Sequence, residues 1–350
     1  MKNKIIVHGC GGCGANIINN VIRGLTQLGD GFPDWVINYI DSSTNNIEPI
    51  NDLVVNFHEI KKTSLTASEI QGAGGDRTAL RAIMPTNVKS YLDKCNIKQY
   101  QPNEFHLVVY SLGGGTGSVA GPLITAELIG MGIPTISVLI GDHGDLIKQQ
   151  QSLDTLGNLS KLAEIKRKCL TTIYLSNTGS DITKIEKENN EELRNILGIL
   201  SVFLSGQNLD IDNGDMMNML DMSRVPRLSV EPGIYSLLIY SGDDFNIPEF
   251  TSLRFMRTLT QEGVDVVNPL GQDGYSTKKG FITVENALKY YNKILPLHML
   301  TVSGYLKHEV EIYNKEITKA NEKRANDKAL LINTSGTVNS SLNDEYADFM

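Results

Sequence analysis

Two clusters of residues carry most of the chemistry legible in this chain. One is neutral and glycine-rich: Gly113-Gly114-Gly115-Thr116-Gly117-Ser118 follows an apolar, β-branched stretch and precedes a helix-like one. The other is acidic: Asp210-Ile211-Asp212-Asn213-Gly214-Asp215. Successive glycines remove every Cβ, so backbone N–H groups can wrap phosphate oxygens, and the following helix N-terminus adds partial positive charge. Thr116 and Ser118 add hydroxyl donors. No Gly-Lys-Ser/Thr follows, so this is not a Walker loop. Without that lysine, phosphate charge must be met by backbone dipoles and Mg²⁺. The competing reading is a tight strand–helix turn without a ligand.

In the acidic segment, Asp212 and Asp215 are spaced so that two carboxylates can approach one water. A carboxylate there can orient the water and accept its proton during attack on a phosphate. Either acid would also cap a helix beginning near Met216, and the two roles are compatible. Two further glycine-rich segments exist, Gly9-Cys10-Gly11-Gly12-Cys13-Gly14-Ala15-Asn16 and Gly72-Ala73-Gly74-Gly75-Asp76. The first alone reads as a dinucleotide fingerprint, a weak signal. Three phosphate-competent loops suit a nucleoside triphosphate better than NAD. Cys10 and Cys13 form a Cys-x-x-Cys, but no second cysteine or histidine pair accompanies it, so small side chains in a tight loop is the better reading. Arg77 is a cation beside the third segment; it either touches phosphate or pairs with a surface acid.

The elements that must position these residues alternate in type. Short apolar runs at 5–7, 36–40, 106–112, 135–140 and 171–175 read as strands, with helix-like stretches between them. Alternation of this kind predicts an α/β fold with a doubly wound parallel sheet, whose ligands lie at the carboxyl ends of the strands. The expected organisation is a nucleotide-binding domain at 1–185 and a central helix with the acidic loop at 186–222, the helix itself read at 191–204. A smaller mixed α/β domain is expected at 223–304, with strands near 235–240, 281–284 and 299–302. A long helix at 305–332 carries one apolar stripe (Leu306, Val310, Tyr313, Ile317, Ala320), for docking on its own body or on a neighbouring subunit. Residues 333–350 read as a flexible acidic-aromatic tail.

Composition bounds the function classes. A chain of 350 residues exceeds one typical domain. The formal net charge of -8 argues against a direct nucleic-acid binder, which needs a basic surface to displace counterions; any association with DNA would pass through another protein. Four scattered cysteines argue against a disulfide scaffold and fit a reducing cytoplasm. No apolar run is long enough for a membrane span.

At the residues quoted above the chain resembles the tubulin/FtsZ superfamily. Gly113 to Ser118 looks like its signature loop, with Val119 where the family usually has another glycine and Pro122 where FtsZ-like proteins often have proline. Gly9 to Asn16 matches the first loop without gaps; the resemblance implies nucleotide contacts from Gly11, Gly12 and Cys13, and a guanine contact from Asn16. Asp41 and Ser42 look like the second loop. Ala73, Gly74, Gly75 and Asp76 look like the third, near the γ-phosphate. Asn177 and Asn190 stand where the family has asparagines that contact the nucleotide and the purine, while Glu186 and Lys187 occupy the place of the aromatic that often stacks on guanine. The acidic segment resembles the catalytic Asn-x-Asp-x-x-Asp loop, with Asp210 for the asparagine and Asp212 and Asp215 as the matched acids.

What the resemblance implies is a GTPase that binds GTP/GDP with Mg²⁺, with no protein side chains assigned to the metal. In this family the acids lie at the opposite end of the subunit from its own nucleotide. The site is then complete only when subunits stack head to tail, which gives a filament. The specific motifs cover residues 4–222. The long charged helix, flexible segment and acidic-aromatic end look more like the plasmid and phage TubZ and phage-tubulin branch. That branch implies segregation or positioning of a plasmid or phage genome, a DNA-bound adaptor engaged through the C-terminal helix or tail, and the cytoplasm of a bacterial cell or host. Three other readings compete. An FtsZ-like division protein lacks its division peptide here. A non-polymerising regulator leaves Asp212 and Asp215 unexplained. An NAD-dependent oxidoreductase accounts for Asp41 but not for the other loops.

Overall fold

The computed structural model describes residues 2–60, 77–179, 181–205, 210–225, 230–242, 247–264, 276–282 and 295–338, with residues 276 and 328–338 in backbone only. The first half alternates as expected. β1 (Lys4–Cys10) leads into α1 (Gly11–Ile17), a π-helical segment at Ile18–Ile22 and the short α2 (Arg23–Leu25). Then come β2 (Asp34–Asp41), β3 (Val54–Glu59), α3 (Arg77–Lys94), β4 (Glu104–Ser111), α4 (Gly117–Gly130), β5 (Thr135–Asp142), α5 (Leu146–Lys166) and β6 (Cys169–Asn177). The central helix α6 (Ile182–Phe203) is followed by α7 (Asn213–Leu220), β7 (Gly233–Ser241), β8 (Ser252–Thr260), β9 (Ser276–Phe281), β10 (Leu297–Ser303) and α8 (Tyr305–Val338).

Ten strands form one sheet in the order β3-β2-β1-β4-β5-β6-β7-β10-β8-β9. The first six are parallel throughout, as β1–β2, β1–β4 and β4–β5 show. Such strands are buried on both faces, which accounts for the fully buried Ile5, Val7, Leu107, Val109, Ile136 and Val138. One core layer gathers Ile18, Ile22, Leu197, Leu200 and Phe203 on one face of the sheet. On the other, Leu80, Met84, Ile124, Leu128 and Leu159 pack from α3, α4 and α5. Among the described residues no helix is long and apolar enough to cross a membrane.

Several elements differ from expectation. β1 continues to Cys10 and α1 begins at Gly11, so Gly11 to Gly14 form a first helical turn rather than a loop. α6 starts nine residues before the expected 191, because Asp181 caps it by accepting from Lys184 N at 3.1 Å. Asn190 therefore lies inside this helix, not at its start. β3 and β8 were not anticipated: β3 shows little burial alternation, and β8 carries arginines at 254 and 257. The strand expected at 281–284 is β9, which ends at Phe281, and residues 283–284 lie outside the described ones. α8 runs on to Val338, six residues beyond its expected end, while 339–350 lie outside the described residues.

Among the described residues the second half forms no separate sheet. β7 joins β6 in parallel over four pairs, from Cys169↔Gly233 to Thr172↔Ser236. Past Thr172 the two strands part. A cavity of about 380 Å³ lies there, walled by Tyr174, Leu237 and Ile239 from the strands and by Glu192, Ile196 and Ile199 of α6. α8 docks on its own body through buried Leu306 and Tyr313 and partly buried Val310. Its residues 321–327 are all exposed. His143, just past β5, latches this helix. Its ring stacks on Tyr313 at 4.1 Å, and its Nδ1 is 2.8 Å from Glu316 Oε2.

Candidate functional site

The strand order reverses direction between β1 and β4, so the segments leaving these neighbours diverge and open a crevice at their carboxyl ends. Both glycine-rich segments lie there. Gly11 has φ +67°, and a Cβ on it would stand 3.0 Å from Gly117 N. A Cβ on Gly117 would stand 2.8 Å from Cys10 O. The two segments thus touch backbone to backbone, which only glycines at these places allow. The helices that follow, α1 and α4, start at Cys10 and Thr116 caps that make no side-chain cap bond. Two sets of helix N-terminal N–H groups therefore remain for an anion.

The resulting cleft has a volume of about 380 Å³. Gly11, Gly12, Cys13, Gly114, Gly115, Thr116 and Gly117 line it, together with Asp41. Ser42 stands beside it, its hydroxyl 2.7 Å from that of Thr116. Gly113 and Ser118 shape the cradle from behind: a Cβ on Gly113 would meet Lys148 O at 2.9 Å, and Ser118 donates to Gly114 O. Asp41 is spoken for. Its carboxylate accepts from Tyr39 OH at 2.7 Å, Asn46 Nδ2 at 2.8 Å and Ser42 N at 2.7 Å. It shapes the second loop as well as facing the cleft.

Five lining residues were not singled out in the linear sequence. Ser43 and Asn46 arrive with the turn after β2, Ser111 and Asp142 close β4 and β5, and Lys148 comes from the first turn of α5. Lys148 Nζ pairs with Asp142 Oδ2 at 3.2 Å. The cleft therefore has a cationic side chain, and it is not Arg77. That guanidinium is buried away from the cleft, donating to Gln151 O at 3.0 Å and Thr155 Oγ1 at 2.8 Å. Asp145 caps α5 by accepting from Ile147 N at 2.8 Å. The third glycine-rich segment, with Ala73, Gly74, Gly75 and Asp76, lies outside the described residues. Burial pushes the Cys13 thiol up to about 12, with the Glu186 carboxylate adding to the effect, and raises Cys10 well above its ordinary value. Both stay protonated, as small wall residues would.

The asparagines collect along α6. Asn189, which the sequence did not single out, donates to Asn177 Oδ1 at 2.7 Å and to Ser176 O at 3.0 Å. Asn16 accepts from Asn20 in the π-helical segment. Glu186 acts electrostatically on Cys13, and Arg194 donates to Asn20 O. α6 thus meets the first helical stretch through Arg194 and Asn20, and Asn190 lies one turn before Arg194.

The acid pair is elsewhere. Asp212 is the N-cap of α7, accepting from Asp215 N at 2.9 Å, and Asp215 returns the bond from Asp212 N at 3.2 Å. This is a capping box with two aspartates. The backbone N–H of Asp215 holds the Asp212 carboxyl below its ordinary value. Asn213 exchanges bonds with the Asn3 side chain and donates to Pro102 O at 3.2 Å. Asn3 and Pro102 precede β1 and β4, so α7 starts at the amino ends of the strands whose carboxyl ends form the cleft. Seven residues of β1 separate the two, about 20 Å of extended chain. One molecule cannot bring Asp212 or Asp215 to its own cleft. Among the described residues no three His, Cys, Asp or Glu side chains gather around a metal position.

No known family profile matches the sequence. A phage tubulin-like protein of Pseudomonas phage PhiPA3 is 30% identical over 216 residues, 61% of each chain. The chain spans 56 to 61% of the length of the curated relatives it matches. In structure it is similar to the GDP complex of the phage tubulin PhuZ, with a TM-score of 0.74 and 21% identity over 92% of this chain and 93% of that one. It is equally similar to the subunit of a PhuZ201 filament, at 0.73 and 20% over the same shares. Fold and sequence similarity agree: the chain has the fold of the phage tubulin structures, and over somewhat more than half its length it is similar in sequence to phage tubulin-like proteins.

Proposed function

We propose that this chain is a GTP-binding subunit that assembles head to tail into filaments and hydrolyses GTP where one subunit meets the next. The observation that carries the reading is the placement of a phosphate cradle and an acid pair at opposite ends of the same strands. Neither is a complete site alone. A second copy stacked on the first would bring Asp212 and Asp215 to the cleft, and the same contact repeated gives an open filament. That one similar structure is a GDP complex and another a filament supports both halves of the reading.

In this scheme the N-termini of α1 and α4 and the hydroxyls of Ser42 and Thr116 hold the phosphates. Lys148 offsets part of their charge, and Asn16, Asn177 and Asn190 face the base. Ala73 to Asp76 would close the γ-phosphate side. Mg²⁺, when bound, neutralises the β- and γ-phosphates. It would be held by their oxygens beside the Ser42 and Thr116 hydroxyls, since Asp41 is already bonded on both oxygens. The acids of the next subunit orient the attacking water and receive its proton. The relatives' phage origin supports a role in positioning or segregating phage or plasmid DNA in the cytoplasm of a bacterial host, with an adaptor recruited through α8 or the residues after it.

The deciding experiment follows GTP hydrolysis against protein concentration, with sedimentation in parallel. A threshold with pelletable polymer above it supports a site built between subunits. Activity strictly proportional to protein, without polymer, would overturn the filament reading.

A further inference from the structure

The acid pair has a cationic partner that neither the glycine loops nor the aspartate spacing announced. Lys278 Nζ is ion-paired with Asp215 Oδ2, joining β9 to the first turn of α7. Asp215 is largely covered and Lys278 only partly so, with side-chain exposures of 19% and 39%. The same Oδ2 accepts from Asp212 N, whereas Oδ1 makes no hydrogen bond among the described residues. β9 reaches this place because Gly280, on the same face as Lys278, leaves room for Ile211: a Cβ there would stand 3.0 Å from Ile211 Cγ1. On the adjacent strand Arg257 is in register with Lys278. Its buried guanidinium feels both Asp215 and Asp212.

Two carboxylates at this helix start would repel an incoming triphosphate, and the capping-box bond from Asp212 N tethers Asp215 Oδ2 by a single donor. A lysine on the same oxygen cancels one charge and adds a second tether. The other oxygen is left for a water. We propose that Lys278 is a positioning residue for hydrolysis: it orients the Asp215 carboxylate and neutralises it so that the acid pair can close on the triphosphate of the next subunit. The inference rests on the reading of a site shared between subunits and assigns to β9 a part in it.

The test compares Lys278→Met and Lys278→Arg with the unaltered chain. GTP affinity of the monomer is read below the assembly threshold, and turnover per sedimented subunit above it, at low and high salt. Lys278→Met is expected to keep monomer affinity and to lose about tenfold in turnover per assembled subunit. It should also raise the assembly threshold about fivefold at low salt, with less effect at high salt. Lys278→Arg should restore most of both. Unchanged turnover and threshold in Lys278→Met would overturn the inference while leaving the shared site intact. Monomer affinity lost in both variants would overturn it too, placing Lys278 in the fold instead. If the unaltered chain neither assembles nor hydrolyses GTP, the shared-site reading itself falls, and this inference with it.

Discussion

Asp215 and Gly117 show how differently single residues are committed. Asp215 closes a capping box, meets Lys278 and has one oxygen without a hydrogen bond among the described residues, so structure and proposed chemistry coincide in one side chain. Asp215→Ala should leave GTP binding by the monomer intact and slow turnover by about 10²-fold or more, so that filaments persist. Fluorescent-nucleotide binding and a phosphate-release assay measure the two effects separately, and loss of binding in this variant would contradict an action in trans. Gly117 has no chemistry of its own. Its Cα is where a Cβ would meet Cys10 O at 2.8 Å, with no flexible atom to yield. Gly117→Ala is expected to weaken nucleotide affinity at least tenfold by pushing apart the two segments that line the cleft. Unaltered affinity would show that the cradle tolerates opening. Both residues were legible in the sequence, because glycine runs and acid spacing are local signals. Lys148, Asn46, Asn189 and Lys278 were not, because each reaches its place by tertiary contact across the fold.

At the scale of elements, β1, β4 and α3 are tied by a buried polar chain. His8 Nδ1 lies 2.8 Å from Tyr91 OH, and His8 Nε2 lies 3.1 Å from His106 Nδ1, with the two rings stacked. Burial lowers both rings: His106 to about 3 and His8 well below its ordinary value, His106 adding to the latter effect. In the unfolded chain both would titrate near 6.5. Below that pH the unfolded state binds more protons. This contribution to stability is therefore complete above about pH 6.5 and is lost as pH falls from there towards 3, at up to about 1.4 kcal/mol per pH unit for each ring. Urea unfolding at pH 7.5, 6 and 5 should show falling midpoints, and a flat profile would mean the rings do not stay neutral in the fold. Elements also mark where the sequence misled. The apolar stripe at steps of three and four found α8, but α6 began earlier than its apolar half suggested, since its first turns are polar and held by the Asp181 cap. β8 was hidden by Arg257, a residue whose burial only the folded chain reveals.

At the scale of the molecule, the two expected domains turn out to share one sheet and one continuous core, which runs from Val7 through Leu197 and Met219 to Phe255 and Met299. The linear sequence could not show this, because the joining pairs Cys169–Thr172 and Gly233–Ser236 lie some sixty residues apart and carry no mutual signature. α8 divides at about residue 320, with Leu306 and Tyr313 docked before it and 321–327 exposed after it. A chain ended after Ala320 should keep its melting temperature and its monomer GTP affinity, while its assembly threshold rises several-fold. Thermal unfolding and sedimentation test this, and an unchanged threshold would remove α8 from the assembly contacts.

The seam between β6 and β7 has a mechanical consequence. Four ladder pairs zip it at one end, and a cavity lies beside the strands at the other. Load passed lengthwise would run along the paired strands. Scissoring about Thr172 would strain few ladder bonds and be opposed chiefly by the core that α6 packs across both strands. A string of such bodies would carry tension and compression along its axis while taking up curvature inside each unit, at the cavity, rather than at the joints between units.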